Sequence, residues 1–231
     1  MIIIEDAAQA LFSKYNGKYA GSFGDLAAFS FHKTKNISCE QGGLLVINNK
    51  KYLDRIRKIT YFGTNKFDFL KGKVKEYTWQ QLGGSHLMTN IQAAILKAQL
   101  KKEFHIRKKR KEICKKYYNQ LKILISKGVK LSNHKSESNY HLFWLIARSQ
   151  REQKKLIRKL RTKGVEAAFH FLPLHKSDYV KKNPNLFDTK GSLSTTNRIA
   201  NQIVRLPVYP SLKNEQIKFI SKLIVDFYQN D

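Results

Sequence analysis

The sequence predicts an α/β front built on short strands, followed by a smaller α+β rear. Three observations carry that prediction. Short apolar runs open the chain at residues 1–4 and recur at 26–31 and 43–48. A long stretch at helical spacing occupies residues 87–128. Beyond it, strand-like and helix-like periods alternate to the end of the chain.

Taken in order, Met1–Ile4 is a four-residue apolar, mostly β-branched run ending at Glu5 and Asp6, as a buried parallel strand reads. Leu26–Phe31 and Gly43–Asn48 read as two further buried strands, with a helix over Lys50–Lys58 after the second. Tyr61–Gly84 holds Gly63, Gly72, Gly83 and Gly84 among aromatics and reads as an ordered loop. From Leu87 the positions Ile91, Ala94, Ile95, Ala98, Ile106, Ile113, Tyr117, Leu121 and Leu124 predict one long helix ending near Gly128. His141–Ala147 and Val165–Phe171 read as strands around a helix at Arg151–Lys163. Ile217, Ile220, Ile224 and Phe227 mark the buried face of a last helix. The four prolines fall in the loops after residue 170. These boundaries divide the chain into a front domain over residues 1–98, a connecting long helix over 99–128 and a small C-terminal domain over 129–231.

Composition narrows the function. With 42% hydrophobic and 12% aromatic residues, the chain has the material for a core and is not a disordered basic tail. Two cysteines exclude a disulfide scaffold and a cysteine metal cluster. No histidine spacing suits a metal, so no metal site is expected. The net charge of +27 invites a nucleic-acid reading, but the charge is unevenly placed. Residues 1–48 hold four basic and four acidic side chains, whereas residues 97–127 hold twelve Lys or Arg against Glu103 and Glu112. Lysines facing away from an apolar stripe describe a solvated helix face, and no zinc finger, RRM signature or helix-turn-helix accompanies them. Neither a specific nucleic-acid partner nor a membrane partner is expected; the opening apolar run is too short for a signal or a spanning helix.

The neutral front carries the chemistry. Asp6 and Gln9 follow the first strand, and Ser30 and Lys35 follow the second, in Phe29-Ser-Phe-His-Lys-Thr-Lys-Asn36. The ends of such strands face the crevice where α/β folds bind ligands. An acid, a hydroxyl and an amine there suit pyridoxal phosphate (PLP), which has a ring nitrogen, a phosphate and an aldehyde. Spacing alone leaves simpler roles open. Asp6 could cap a helix, Ser30 could be an ordinary strand-end hydroxyl, and Lys35 could be one more solvated lysine. Cys39 reads as a small buried residue.

The strings IIEDAAQALFSKYNGKYAGSFGDLAAFSFHKTKNI and GTNKFDFLKGKVKEYTWQQLGGSHLMTNIQAA, with FHFLPLH at 169–175 and RLPVYPSL at 205–212, resemble the DegT/StrS family of PLP-dependent sugar aminotransferases. Within that family the likeness is strongest to transaminases that form dTDP-4-amino-4,6-dideoxygalactose. The resemblance implies PLP fold type I, an aspartate-aminotransferase-like architecture with a parallel-type sheet in its large domain, and a cytoplasmic homodimer. It implies that Lys35 forms the Schiff base and shuttles the proton, that Asp6 pairs with the pyridinium, that Ala8 packs on the ring and Gln9 bonds its hydroxyl, and that Ser30 binds the phosphate. Ser85 aligns with an Asn that reaches the partner subunit's phosphate in many relatives. His32 is a substrate-side candidate; His170 and His175 are either sugar-nucleotide contacts or ordinary loop and core histidines. The implied reaction converts dTDP-4-keto-6-deoxyglucose to a 4-amino sugar with glutamate as donor, for surface polysaccharide synthesis. Two departures stand out. Glu40-Gln41-Gly42-Gly43 replaces the usual Gly-Glu-Gly-Gly, and the family's front segment does not precede Met1, so a truncated large domain is expected. The competing expectation is a non-catalytic remnant or dimerisation partner.

Overall fold

In the computed structural model, residues 1–134, 137–188 and 191–229 are described. The chain forms two compact units: Met1–Ile106 with Glu137–Asn139, and Arg107–Ser136 with Tyr140–Asp231.

The first unit contains β1 (Ile4–Asp6), β2 (Lys14–Tyr15), β3 (Lys18–Tyr19), β4 (Leu26–Ser30), β5 (Gly43–Ile47), α1 (Leu53–Thr60), α2 (Lys66–Leu70) and α3 (Asn90–Lys101). Its main sheet has the order β1-β4-β5. β1 runs parallel to β4, with Asp6 opposite Ala28. β5 runs antiparallel to β4, pairing Gly43 with Ser30. This corrects the expected parallel-type sheet to a mixed one. The reason is local: the segment between β4 and β5 folds back on itself through Phe31 N–H to Gly42 O (2.8 Å) and Lys33 N–H to Glu40 O (2.9 Å). That return uses the connection for a reversal and leaves no chain for the crossover that parallel strands require.

Burial also departs from expectation. Ile2, Ile3 and Ile4 are 57%, 54% and 68% exposed, and Leu44 and Leu45 of β5 are likewise exposed. An apolar strand is buried only if something packs on it, and within this unit little does. The same holds for α3. A capping box starts it, with Gln92 N–H donating to Thr89 Oγ1 and Thr89 N–H to Gln92 Oε1. Yet no residue of α3 is buried, and Ile91, Ala94, Ile95 and Ala98 form an uncovered stripe. The packed part is a small cluster of Phe31, Ile37, Cys39 and Ile106, backed by Leu11, Phe12, Met88 and Leu96. Ahead of α3 the chain turns at Gly63 (φ 77°), where a Cβ would meet the Gln81 carbonyl oxygen at 1.8 Å, so only glycine fits.

The single long helix predicted after Leu87 is two helices. α3 ends at Lys101 and α4 (Glu103–Leu121) restarts after Lys102, whose amide turns back to the Gln99 carbonyl. Neither glycine nor proline marks that break in the sequence. A 3₁₀ segment over Lys122–Lys127 follows and is closed by Gly128 in the left-handed conformation (φ 84°).

The second unit contains most of α4, then β6 (Lys130–Leu131), β7 (Phe143–Ile146), α5 (Gln150–Thr162), α6 (Asp178–Lys182), α7 (Ser194–Ala200), β8 (Ile203–Leu206) and α8 (Asn214–Gln229). Its antiparallel sheet has the order β6-β7-β8. α5 is capped by Ser149, whose hydroxyl accepts from Glu152 N–H, and buries Gln153, Leu156 and Leu160 against the sheet side. α8 buries Ile217, Ile220, Ile224 and Phe227, the stripe read from the sequence. Each such side chain contributes about 1.5–3 kcal/mol of burial, which makes this cluster the principal core. The strand expected at Val165–Phe171 does not form. Only Ala168 pairs, exchanging both backbone bonds with Arg205, and the chain then leaves the sheet.

A buried guanidinium organises one side of this unit. Arg110 is 7% exposed and donates to the carbonyls of Tyr140 (3.0 Å), Val208 (2.9 Å) and His141. Burial pushes its pKa down to about 10 and that of the adjacent Cys114 thiol up to about 12.

Candidate active site

Asp6 closes β1. The next amide, Ala7 N–H, still donates to Ala28 O (3.0 Å), so the parallel ladder continues to the strand's last residue. Ala7 is buried and anchors the turn. Instead of capping a helix, the Asp6 Oδ1 accepts the Ala8 amide (3.0 Å) in a side-chain turn, and no helix follows. The carboxylate remains exposed, as does Gln9, while Ala8 is half-buried.

Ser30 closes β4 at the same end of the sheet, two residues beyond the partner of Asp6. Its Oγ accepts the His32 amide at 3.3 Å. A tight turn follows, with Lys35 N–H donating to His32 O (2.9 Å). The His32 ring contributes to that turn: Nδ1 lies 3.0 Å from Thr34 Oγ1 and accepts the Thr34 amide at 3.4 Å. Lys35 is half-buried between the Phe31 and Ile37 anchors, and among the described residues no hydrogen bond or ion pair holds its Nζ.

Buried Asn139 ties the two strand ends together. Its Nδ2 donates to Gln9 O (2.7 Å) and Leu11 O (3.1 Å), and its own carbonyl accepts Asn36 Nδ2 (2.9 Å). The loop after the acid and the loop bearing the lysine are therefore held to one residue. The structure thus brings Asp6, Ala8, Gln9, Ser30, His32 and Lys35 into adjoining loops at one end of the sheet. Ser85 stands in a different segment, exposed and bridged to Tyr61. Among the described residues no three His, Cys, Asp or Glu side chains form a metal-holding group. No described helix is long and apolar enough to cross a membrane.

His170 and His175 belong to the second unit. His170 packs edge-on to Phe171, with ring centroids 4.6 Å apart, and its Nδ1 is buried without a hydrogen-bond partner among the described residues. Burial, and secondarily the Arg205 charge, lowers its pKa. His175 Nε2 is paired with Asn197 Oδ1 at 2.9 Å. Nearby is an open cavity of about 650 Å³, where Lys154, Arg158 and Arg161 face Phe169, Phe171 and Leu172.

Sequence reasoning missed Asn139. Its partners are 103 to 130 residues away and are mostly backbone carbonyls, so no local pattern announces it.

Among known proteins, GDP-perosamine synthase of Escherichia coli O157:H7 is 30% identical over 237 residues, covering 100% of this chain and 59% of that protein. Two solved structures share the fold along the whole chain. An aminotransferase from Psychrobacter cryohalolentis superposes with TM-score 0.88 at 20% identity, and 62% of it is covered. PseC of Helicobacter pylori, an aminotransferase of pseudaminic acid biosynthesis, superposes with TM-score 0.85 at 22% identity, and 60% of it is covered. The chain spans a little under three-fifths of the length of the curated relatives it matches. The model of the DegT/DnrJ/EryC1/StrS aminotransferase family matches residues 1–225, a range that includes the strand-end acid, the hydroxyl and the lysine loop together. The chain belongs to the DegT/DnrJ/EryC1/StrS aminotransferase family.

Proposed function

We propose that this chain carries the lysine half of a PLP-dependent aminotransferase acting on nucleotide-linked keto sugars. The observation that carries the reading is the trio Asp6, Ser30 and Lys35 at adjoining strand ends, each with polar capacity the protein does not consume. Asp6 spends one carboxylate oxygen on Ala8, the Ser30 hydroxyl keeps its proton to donate, and the Lys35 amine is uncommitted. That donor set fits PLP, whose parts require an acid, a hydrogen-bond donor and an amine. Aminotransferases of this family use that cofactor, and Spr1654 of Streptococcus pneumoniae has been solved in a PLP form.

When bound, PLP supplies an electron sink for the carbon that loses its proton. The chain's residues divide the remaining work. Lys35 Nζ takes and returns that proton, working from a loop whose two ends are pinned by β4 and β5. Asp6 holds a proton on the ring nitrogen, Gln9 reaches the ring hydroxyl, Ala8 covers one face, and Ser30 donates to the phosphate. Ser85 serves the phosphate bound by a second copy in a homodimer. His32 is the substrate-side candidate next to the lysine. The substrate pair is a dTDP-4-keto-6-deoxy sugar with glutamate as amine donor, used in surface polysaccharide synthesis in the cytoplasm.

The test is chemical trapping. The chain is incubated with PLP, reduced with borohydride and mapped by mass spectrometry. A pyridoxyl group on Lys35, lost in Lys35→Ala without transfer to another lysine, is the expected result. Scattered labelling unaffected by Lys35→Ala refutes the reading. A second reading draws on the uncovered α3 stripe, where Ile91 is 74% exposed. In it the chain is a pairing partner without turnover, and folded protein that captures no PLP would favour it.

A further inference from the structure

We propose that Asn139 is a positioning residue that sets where Lys35 stands relative to the acid-bearing loop; the inference rests on the reading of Lys35 given above. Asn139 is 6% exposed, and a buried amide is costly unless its donors and acceptors are met. Here the side chain's two donor hydrogens serve two carbonyls, Gln9 at 2.7 Å and Leu11 at 3.1 Å. The residue's own carbonyl accepts Asn36 Nδ2 at 2.9 Å, and its amide donates to Ser13 Oγ at 3.2 Å. Its neighbour Glu137 extends the seam, accepting Lys14 N–H on its carbonyl and Gly17 N–H on its carboxylate, both at 2.9 Å.

Gln9 lies three residues beyond Asp6, and Asn36 is the residue after Lys35. One side chain therefore fixes the backbone after the acid, and one backbone carbonyl fixes the side chain beside the lysine. A reacting group displaced by about 1 Å can cost on the order of a hundredfold in rate, so registry of this kind is functional. The residue type is demanded by the chemistry. Asp is the same shape but cannot donate, and would turn an acceptor oxygen toward the two carbonyl oxygens that Nδ2 now serves.

The experiment uses the full chain with Asn139→Asp and Asn36→Ala, each checked for folding by circular dichroism. Amide hydrogen exchange is measured without PLP, and capture of PLP at Lys35 is timed by borohydride quenching. Asn139→Asp is expected to speed exchange in residues 7–12 by about tenfold or more, to leave β6–β8 unchanged, and to slow Lys35 capture by a similar factor, because the acid-bearing loop no longer keeps its place beside the lysine loop. Asn36→Ala is expected to loosen residues 32–37 and slow capture while residues 7–12 stay protected; because it leaves the interior bonds of Asn139 intact, it decides the matter if Asn139→Asp does not fold. A folded variant with unchanged exchange in both loops, or with faster exchange but unchanged capture, overturns the proposal. If the unaltered chain captures no PLP, the aminotransferase reading falls. The exchange arm then still shows whether Asn139 holds the two loops, and unchanged exchange there overturns the clamp by itself.

Discussion

The lysine loop carries a strain that a single substitution should release. Glu40 lies where the family pattern has glycine, and its φ is 69°. In that region an L-residue costs roughly 1–2 kcal/mol from the approach of Cβ to the backbone. Nothing in its surroundings offsets the cost, since the Glu40 side chain is exposed and makes no hydrogen bond among the described residues. The backbone bond from Lys33 N–H to Glu40 O, at 2.9 Å, survives any substitution. Glycine removes the Cβ clash but loses roughly 0.5–1 kcal/mol to the greater freedom of the unfolded chain. Glu40→Gly should therefore stabilise the β4–β5 hairpin by about 0.5–1 kcal/mol, which slows hydrogen exchange of its amides about two- to fivefold. Glu40→Ala keeps the Cβ and should stay within about 0.5 kcal/mol of the parent. Exchange measured by mass spectrometry on peptides covering residues 26–47 separates the two. Equal effects of Gly and Ala, or faster exchange in the Gly variant, would refute the strain argument.

Two further outcomes follow from the second unit. Arg110→Met strands one buried and two half-buried carbonyls at once and should cost about 3–5 kcal/mol; a loss under about 1 kcal/mol in urea unfolding would mean that water replaces the guanidinium without penalty. His134 and His170 are both held below the ordinary histidine value of 6.5, each chiefly by burial. The unfolded chain then binds more protons than the folded one between that value and the lower folded pKa values. Stability should be full above about pH 6.5 and decline as the pH falls through that window. His134→Gln should flatten the decline, and a profile already flat from pH 7.5 to 5.5 would contradict the assignment. The carboxyl of Asp25, held low by the Asn49 amide and the Ile3 N–H, titrates below 3.8 and does not enter that window.

The periodic elements were the most legible in the sequence. The stripes of α5 and α8 are strong because each helix buries one face in its own unit, so the pattern and its cause lie in the same segment. Asp6 and Ser30 were likewise readable as strand-end residues, since each directly follows an apolar run. Direction was not readable: β5 is as apolar as a parallel strand, and only the fold-back between Phe31 and Gly42 reverses it. Burial of Ile2–Ile4, Leu44 and Leu45 was not readable either, because it depends on what covers them. The strand expected at Val165–Phe171 failed for a related reason: its residues suit a sheet, but only Ala168 finds a partner. The break at Lys102 left no trace in residue type.

The Asn139 side-chain amide grips main chain through its Nδ2. Gln9 and Leu11 are held by their carbonyls, and Asn36 is held at a carbonyl that any residue at position 139 would present. Architecture and chemistry are thereby assigned to different atoms of the same residues. The Gln9 side chain can be exchanged for one that suits another ligand without loosening the loop that carries it. Such a division lets the group that faces a ligand change while the frame that carries it stays constant.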